Sequence, residues 1–262
     1  MEKIKWTTSS SWLDETIEIF KFINDDFNID VISDLVKSGE ILGDRKFSSA
    51  LRVFGAIKGR YLKFDNDKVI ALSNILKANI SIQEKYNYLL IYYFEYETLA
   101  CFFMDDYIFN NLNKYSQKIF TQTDLDNFFE MVLSNYTSYL PYKLQKNISV
   151  KSMNKAKNQL WKNIENFGWV EIRENKLNIK RPHLTPEWFT YTLYFYFSKE
   201  SISINDIYTS NIYKRFLLNE FDIKFLLNTS KSKGLLDIQS LGDVSIISRT
   251  KGGILDYARS YK

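Results

Sequence analysis

The sequence predicts a mainly α-helical protein: an N-terminal helical bundle, then two small units in which a helix, a glycine and a β-hairpin follow one another. Three observations carry this expectation. The 262-residue chain is 45% apolar and 16% aromatic but holds only nine Gly and three Pro, so core-formers abound and helix breakers are scarce. Apolar residues recur at helical spacing through about residue 140. Period-two alternation follows two glycines, each standing where a helical pattern stops.

Element by element, Ser11 or Ser10 is placed to cap a helix from Leu13, with Ile17, Phe20 and Ile23 on one face. Residues 28–38 form a short second helix ended near Gly39. With Phe47 as origin, Ala50, Leu51, Phe54, Ile57 and Tyr61 share one apolar arc of a third helix, and Arg45, Arg52, Arg60 and Lys63 fall opposite. Lys58 lies at the edge of the core face, where it is expected to snorkel. Helices follow at about 68–77, 82–94, 96–112 and 123–135, the last opened by Thr121 or Thr123 with Asp124 and Asp126 in its first turn. Within Tyr86–Phe109 the apolar runs Tyr88–Phe94 and Leu99–Met104 are split by Glu95 and Glu97 and closed by Asp105-Asp106. That predicts a buried bundle helix and not a membrane span. With no signal-type apolar region at the start, a cytoplasmic location is expected.

The stretch Pro141 to Ser152 is poor in large apolar residues, which puts the boundaries at 1–141 for the bundle, 142–200 for a basic unit and 201–262 for the last unit. Ser152 is positioned to cap a helix over 152–167, whose stripe is Met153, Ala156, Leu160, Ile164 and Phe167. Lys151, Lys155, Asn158, Lys162 and Asn166 lie on its far side. Gly168 stops it. Residues 169–173 and 176–180 then alternate around Glu174-Asn175, the pattern of a hairpin. Further on, Thr185 and Pro186 open a helix. The same order recurs as a helix over Glu220–Lys233, Gly234, and strands 235–239 and 243–247 about a Ser240-Leu241-Gly242 turn. Both units read as the closing half of a winged helix, repeated 66 residues apart (Gly168 to Gly234).

Net charge is only +4, but it is unevenly placed. From Arg45 to Lys63 there are six bases and no acid, and from Lys143 to Arg181 ten bases against Glu165, Glu171 and Glu174. The rest of the chain is therefore net acidic. Such polarisation is the footprint expected of a polyanion binder; charge alone is equally compatible with Lys being common in a Lys/Asn/Ile/Tyr-rich composition. In a winged-helix frame the helix before the hairpin enters the major groove, Lys neutralises phosphate and Asn pairs with adenine edges. Arg173, Lys176, Lys180 and Arg181 extend the basic surface onto the hairpin, and Lys224, Asn228 and Lys231 share a face in the second unit.

Chemistry is hard to place. One Cys and one His exclude a disulfide framework, a structural zinc site and a multi-histidine centre built within the chain. Gly252-Gly253 lacks the context of a phosphate loop. His183 is read as a turn residue, Cys101 as core, and Asp105-Asp106 as a solvated helix boundary. No metal, cofactor or membrane partner is expected.

Several segments resemble the BrxA family, the small component of BREX bacteriophage-exclusion systems. They are Leu51-Arg52-Val53-Phe54-Gly55-Ala56-Ile57-Lys58-Gly59-Arg60-Tyr61-Leu62, the aromatic helices through Leu99-Ala100-Cys101-Phe102, Phe128-Phe129, and above all Lys155 to Pro186. Cys101 stands where the family pattern often has an acid. The resemblance implies a core similar to that of the NusB antitermination factor, DNA binding without catalysis, and work alongside other BREX proteins. The expectation is thus a non-enzymatic, double-stranded DNA-binding accessory protein. Its site would comprise Arg45, Arg52, Arg60, Lys63, Lys143, Lys146, Lys151, Lys155, Asn158, Lys162, Arg173, Lys176, Lys180 and Arg181. The alternatives are a protein-interaction adaptor within the defence complex, or RNA binding by the NusB-like core.

Overall fold

The computed structural model describes residues 4–6, 9–140, 148–199, 201–241 and 244–261. The expected lysines Lys143 and Lys146, and Gly242 of the second turn, lie outside them. The described chain is mainly helical, with two small three-stranded antiparallel sheets. It divides into two compact units, each assembled from separated segments. Unit 1 is Met1–Ser11, Tyr93–His183 and Asn211–Asn219, and unit 2 is Trp12–Tyr92, Leu184–Ser210 and Glu220–Lys262.

Unit 2 begins with α1 (Leu13–Phe20), α2 (Ile29–Ser38), α3 (Phe47–Tyr61), α4 (Asn66–Lys77) and the first part of α5 (Ile82–Tyr96). Neither Ser10 nor Ser11 caps α1. Its N-cap is Trp12 in a left-handed conformation, and the Thr16 amide and hydroxyl both donate to the Trp12 carbonyl. Asn28 caps α2 by accepting from the Asp30 amide, and Gly39 at φ 84° ends it, as the sequence predicts. In α3 the core side is Ala50, Val53, Phe54, Ile57 and Tyr61, whereas Phe47 in the first turn is exposed.

Unit 1 continues α5 from Tyr93, then runs through α6 (Thr98–Phe102), a π-helical turn (Phe103–Ile108) and α7 (Phe109–Tyr115). A single helix over 96–112 was the sequence expectation. The structure instead widens it for one π turn. Next come β1 (Ile119–Phe120), α8 (Gln122–Asn135), α9 (Val150–Asn166), β2 (Val170–Arg173) and β3 (Lys176–Ile179). Thr121 and Asp124 form a reciprocal capping box at α8. α9 starts earlier than predicted, because Ser149, and not Ser152, accepts the capping bond from the Ser152 amide. The sheet order is β1-β3-β2, with Phe120 opposite Leu177 and Ile172 opposite Leu177 on the other side.

Unit 2 resumes with α10 (Pro186–Tyr196), β4 (Ser201–Ser203), α11 (Ile204–Thr209), α12 (Glu220–Ser232), β5 (Leu236–Leu241), β6 (Val244–Arg249) and α13 (Ile254–Arg259). Thr185 caps α10 with Pro186 in its first turn, as expected. Its sheet order is β4-β6-β5. β5 extends through Leu241, so Ser240 and Leu241 belong to the strand and not to the turn. The two units therefore share one order of elements: helix, strand, helix, helix, strand, strand, with the last strand at the centre of the sheet.

The aromatic content forms the core. In unit 2 the Tyr92 and Tyr191 hydroxyls are 2.6 Å apart, and Trp188 Nε1 donates to the Asn87 carbonyl at 3.0 Å. Tyr88 meets Tyr191 edge-on at 5.1 Å between centroids. Pairing the polar tips while the rings are dry is what makes buried Tyr and Trp affordable. Burial pushes the Tyr88 and Tyr92 phenols well above their ordinary value. In unit 1, Trp6 packs edge-on against Phe129 at 5.3 Å, and buried Asn163 donates to Tyr93 Oη at 2.8 Å and to the Ser9 carbonyl at 3.0 Å. Tyr88 to Phe94 are all buried. Among the described residues no helix is long and apolar enough to cross a membrane.

Candidate nucleic-acid interface

The strongest candidate surface belongs to α9 and the hairpin after it. Ala156, Leu160, Trp161, Ile164 and Phe167 are buried, which fixes the helix roll. Lys151, Asn154, Lys155, Asn158, Lys162 and Asn166 are consequently exposed. Asn166 is tied to Ser11 Oγ at 2.9 Å. From Lys151 to Lys162 the face is about 17 Å long at the helical rise of about 1.5 Å per residue. Between Lys151 and Lys162 the helix itself carries no acidic residue. Glu165, the acid of this helix, accepts from the Ile172 amide at 2.8 Å and is half-buried. Lys157, on the flank, is taken by Asp126 at 2.6 Å and lies over the Phe129 ring.

The helix stop and the hairpin are fixed by local chemistry. Gly168 at φ 77° sends its amide to the Glu165 carbonyl, and Trp169 sends its amide to Ile164. This is the paired bonding of a Schellman turn, which needs a left-handed residue and so favours glycine. Glu174 and Asn175 are both left-handed, at φ 50° and 57°, which turns β2 tightly into β3. The turn places Arg173 directly opposite Lys176, and both are exposed. Like charges across a ladder destabilise it. An exposed Glu171–Arg173 ion pair at 2.7 Å relieves part of this. Lys180 is exposed as well. Arg181 donates through Nη1 to the Leu217 carbonyl at 2.8 Å, so part of its guanidinium anchors the chain.

The first basic segment fares differently. Arg52 and Lys63 are exposed, as the helical pattern predicts. Arg60 is not on a solvent face: it is buried, at 1% exposure. A single-stripe pattern assigns one core side to a helix, and α3 is covered more widely than that. Arg45 pairs with Glu15 and lies over the Trp12 ring, in a recess shared with Asp14, Glu18, Glu40 and Asp44. There it neutralises an acidic neighbourhood. Arg60 therefore packs inside unit 2, Arg45 is a half-buried member of an ion pair, and Arg52 and Lys63 are the exposed pair of the four.

One feature of unit 1 was not legible. A cavity of about 320 Å³ opens beside the π turn, lined by Glu95, Cys101, Asp105, Asp106, Lys214 and Arg215 among others. Arg215 bridges Glu95 at 2.7 Å and Asp105 at 3.9 Å. Asp105 is not a solvated boundary residue. Burial pushes its carboxyl up to about 6, with the Arg215 guanidinium opposing. Cys101 Sγ lies 3.4 Å from Asp105 Oδ2, and burial raises its thiol well above the ordinary value, in keeping with a core position. Among the described residues, no group of three or more His, Cys, Asp or Glu is arranged to hold a metal ion.

Curated proteins provide no match to the chain. The BrxA family model, in contrast, matches residues 3–193, well over half of the sequence. That range contains α9, the first hairpin and the start of α10 but stops before α12 and the second hairpin. The chain belongs to the BrxA family, a membership that suggests a BREX-related role.

Proposed function

We propose that the protein is a non-enzymatic, double-stranded DNA-binding accessory component of a BREX phage-defence system. The observation that carries this reading is the α9 face: Lys151, Lys155 and Lys162 with Asn154 and Asn158 between them, all exposed, with no acidic residue of α9 among them. The order helix, strand, helix, helix, strand, strand in each unit supports a winged-helix reading, in which the helix before the hairpin lies in the major groove and the hairpin flanks the backbone. α9 holds that position in unit 1. Lysines at this spacing neutralise phosphates along a groove about 12 Å wide, and the amides reach base edges. Arg173, Lys176 and Lys180 then meet the adjoining backbone, and an anion between Arg173 and Lys176 offsets their mutual repulsion. Lys143 and Lys146 belong to the same proposal, and Arg52 and Lys63 are proposed as a separate phosphate-contacting pair within unit 2. Arg181 contributes whatever its bond to Leu217 leaves exposed.

Catalysis has no part in this reading, and BrxA is not a known enzyme family. The NusB-like core and a cytoplasmic location belong to the same proposal. The test is charge reversal at Lys155, Lys162 and Lys180, read by gel shift on a duplex at low salt, with competing RNA in a parallel lane. Loss of the duplex shift in the variant, and better competition by DNA than by RNA, are expected. An unchanged shift in the variant defeats the proposal, and stronger competition by RNA redirects it to RNA.

A further inference from the structure

The cavity beside the π turn lies wholly within unit 1, and its lining residues are not those of the α9 face. One wall is acidic. Glu95 lies in the last turn of α5, and Asp105 and Asp106 stand on the π turn itself, which a bond from the Phe109 amide to the Met104 carbonyl closes. The other wall is basic and comes from far along the chain, where the short helical turn Asn211–Phe216 contributes Lys214 and Arg215. Such π turns are rare in helices and recur at functional sites. The cavity, at about 320 Å³, is at the lower end of the range for small-molecule sites, about 300–1,000 Å³. That is room for one small metabolite.

The charges of the two walls are not satisfied alike. Arg215 Nη1 donates to Glu95 Oε1 at 2.7 Å, and its Nε lies 3.9 Å from Asp105 Oδ2, so these three groups hold one another. Asp106 and Lys214 have no such arrangement. Among the described residues neither is in an ion pair, and Lys214 Nζ sits 5.9 Å from the Phe109 ring centroid. Burial pushes the Asp106 carboxyl above its ordinary value and the Lys214 ammonium opposes this, so the two act on each other without contact. A half-buried carboxylate and a half-buried ammonium gain from a ligand that brings each its opposite. A phosphate or other dianion would meet three carboxyls, and a polyamine would meet two bases. A neutral apolar ligand would strip water from both charges and leave them without partners. A zwitterion satisfies both at once. The Phe94 and Phe102 rings line the same space and suit an apolar side chain. The Cys101 thiol, held un-ionised by burial, offers no nucleophile.

We propose that this cavity binds a free α-amino acid with an apolar side chain, its ammonium on Asp106 and its carboxylate on Lys214. Duplex binding by α9 plays no part in this. The full-length chain is titrated by calorimetry at neutral pH with L-valine, L-leucine, L-methionine and L-phenylalanine, each up to about 10 mM. At least one is expected to bind. It should bind at least tenfold tighter than the corresponding amine without the carboxylate, and than the corresponding acid without the ammonium. Asp106→Asn and Lys214→Met should each weaken its binding at least tenfold. Melting temperature checks that both variants are folded, and the comparison of ligands on the wild-type chain decides even where a variant is not. No binding of any of the four amino acids overturns the proposal. Equal affinity for the amine would make this a cation site, and equal affinity for the acid an anion site. Unchanged affinity in either folded variant would place the amino acid elsewhere. Each of these results also overturns the proposal.

Discussion

Glu165 Oε1 accepts a hydrogen bond from the Ile172 amide at 2.8 Å, and this bond joins α9 to the first strand of its hairpin. It also turns the carboxylate of the helix away from the lysine face. Glu165→Ala removes a charge-assisted bond to a half-buried amide and should cost about 1.5–3 kcal/mol, measured by urea denaturation. Glu165→Gln, which keeps an acceptor, should lose about half as much or less. Equal stability of Glu165→Ala and wild type would show that packing alone seats the hairpin.

Gly168 and Gly234 close equivalent helices with the same pair of bonds. Gly234 donates to Lys231 and Leu235 to Ser230, matching Gly168 to Glu165 and Trp169 to Ile164. With φ of 77° and 69°, alanine at either site should destabilise by about 1–2 kcal/mol. Thermal melts of the two single variants check this. If both melt like wild type, the left-handed turns are not required.

The shared glycines also explain what the sequence made legible. A helical stripe, a left-handed stop and a short alternation define α9 with its hairpin without help from distant residues, and the solvent face of α9 was read correctly. The strands completing the sheets were not foreseen. β1 has two residues and β4 three, too few to show alternation. Arg60 is buried although the helical pattern puts it opposite the core, because periodicity does not register a second covering of α3; the Arg45–Glu15 pair joins residues too far apart for a helical pattern to show. The π turn and its cavity escaped notice since Arg215 reaches Asp105 from far along the chain.

Arg60 and Arg52 should therefore behave oppositely. Removing the buried Arg60 side chain as Arg60→Ala should destabilise by about 3 kcal/mol or more, while exposed Arg52→Ala stays within about 0.5 kcal/mol. Chemical denaturation of both variants reads the difference. Comparable small losses would place Arg60 at the surface.

Asp105 adds a pH dependence. Its folded pKa of about 6 lies above the usual carboxylate value, so the folded state binds its proton more tightly than the unfolded one. Its contribution is most favourable below the unfolded pKa and declines as pH rises to about 6, by about 3 kcal/mol at most. Asp105→Asn should flatten the stability profile between pH 4 and 6. An identical profile in the variant would assign the slope to other groups.

The central claim is that the α9 face and its hairpin hold a phosphate backbone. The most direct measurement is duplex affinity as a function of salt. With contacts from Lys151, Lys155, Lys162, Arg173, Lys176 and Lys180, log Kd should rise with log salt with a slope near 5, falling by about 2 in Lys155→Ala with Lys162→Ala. A Kd insensitive to salt, or the same slope in the variant, would contradict it.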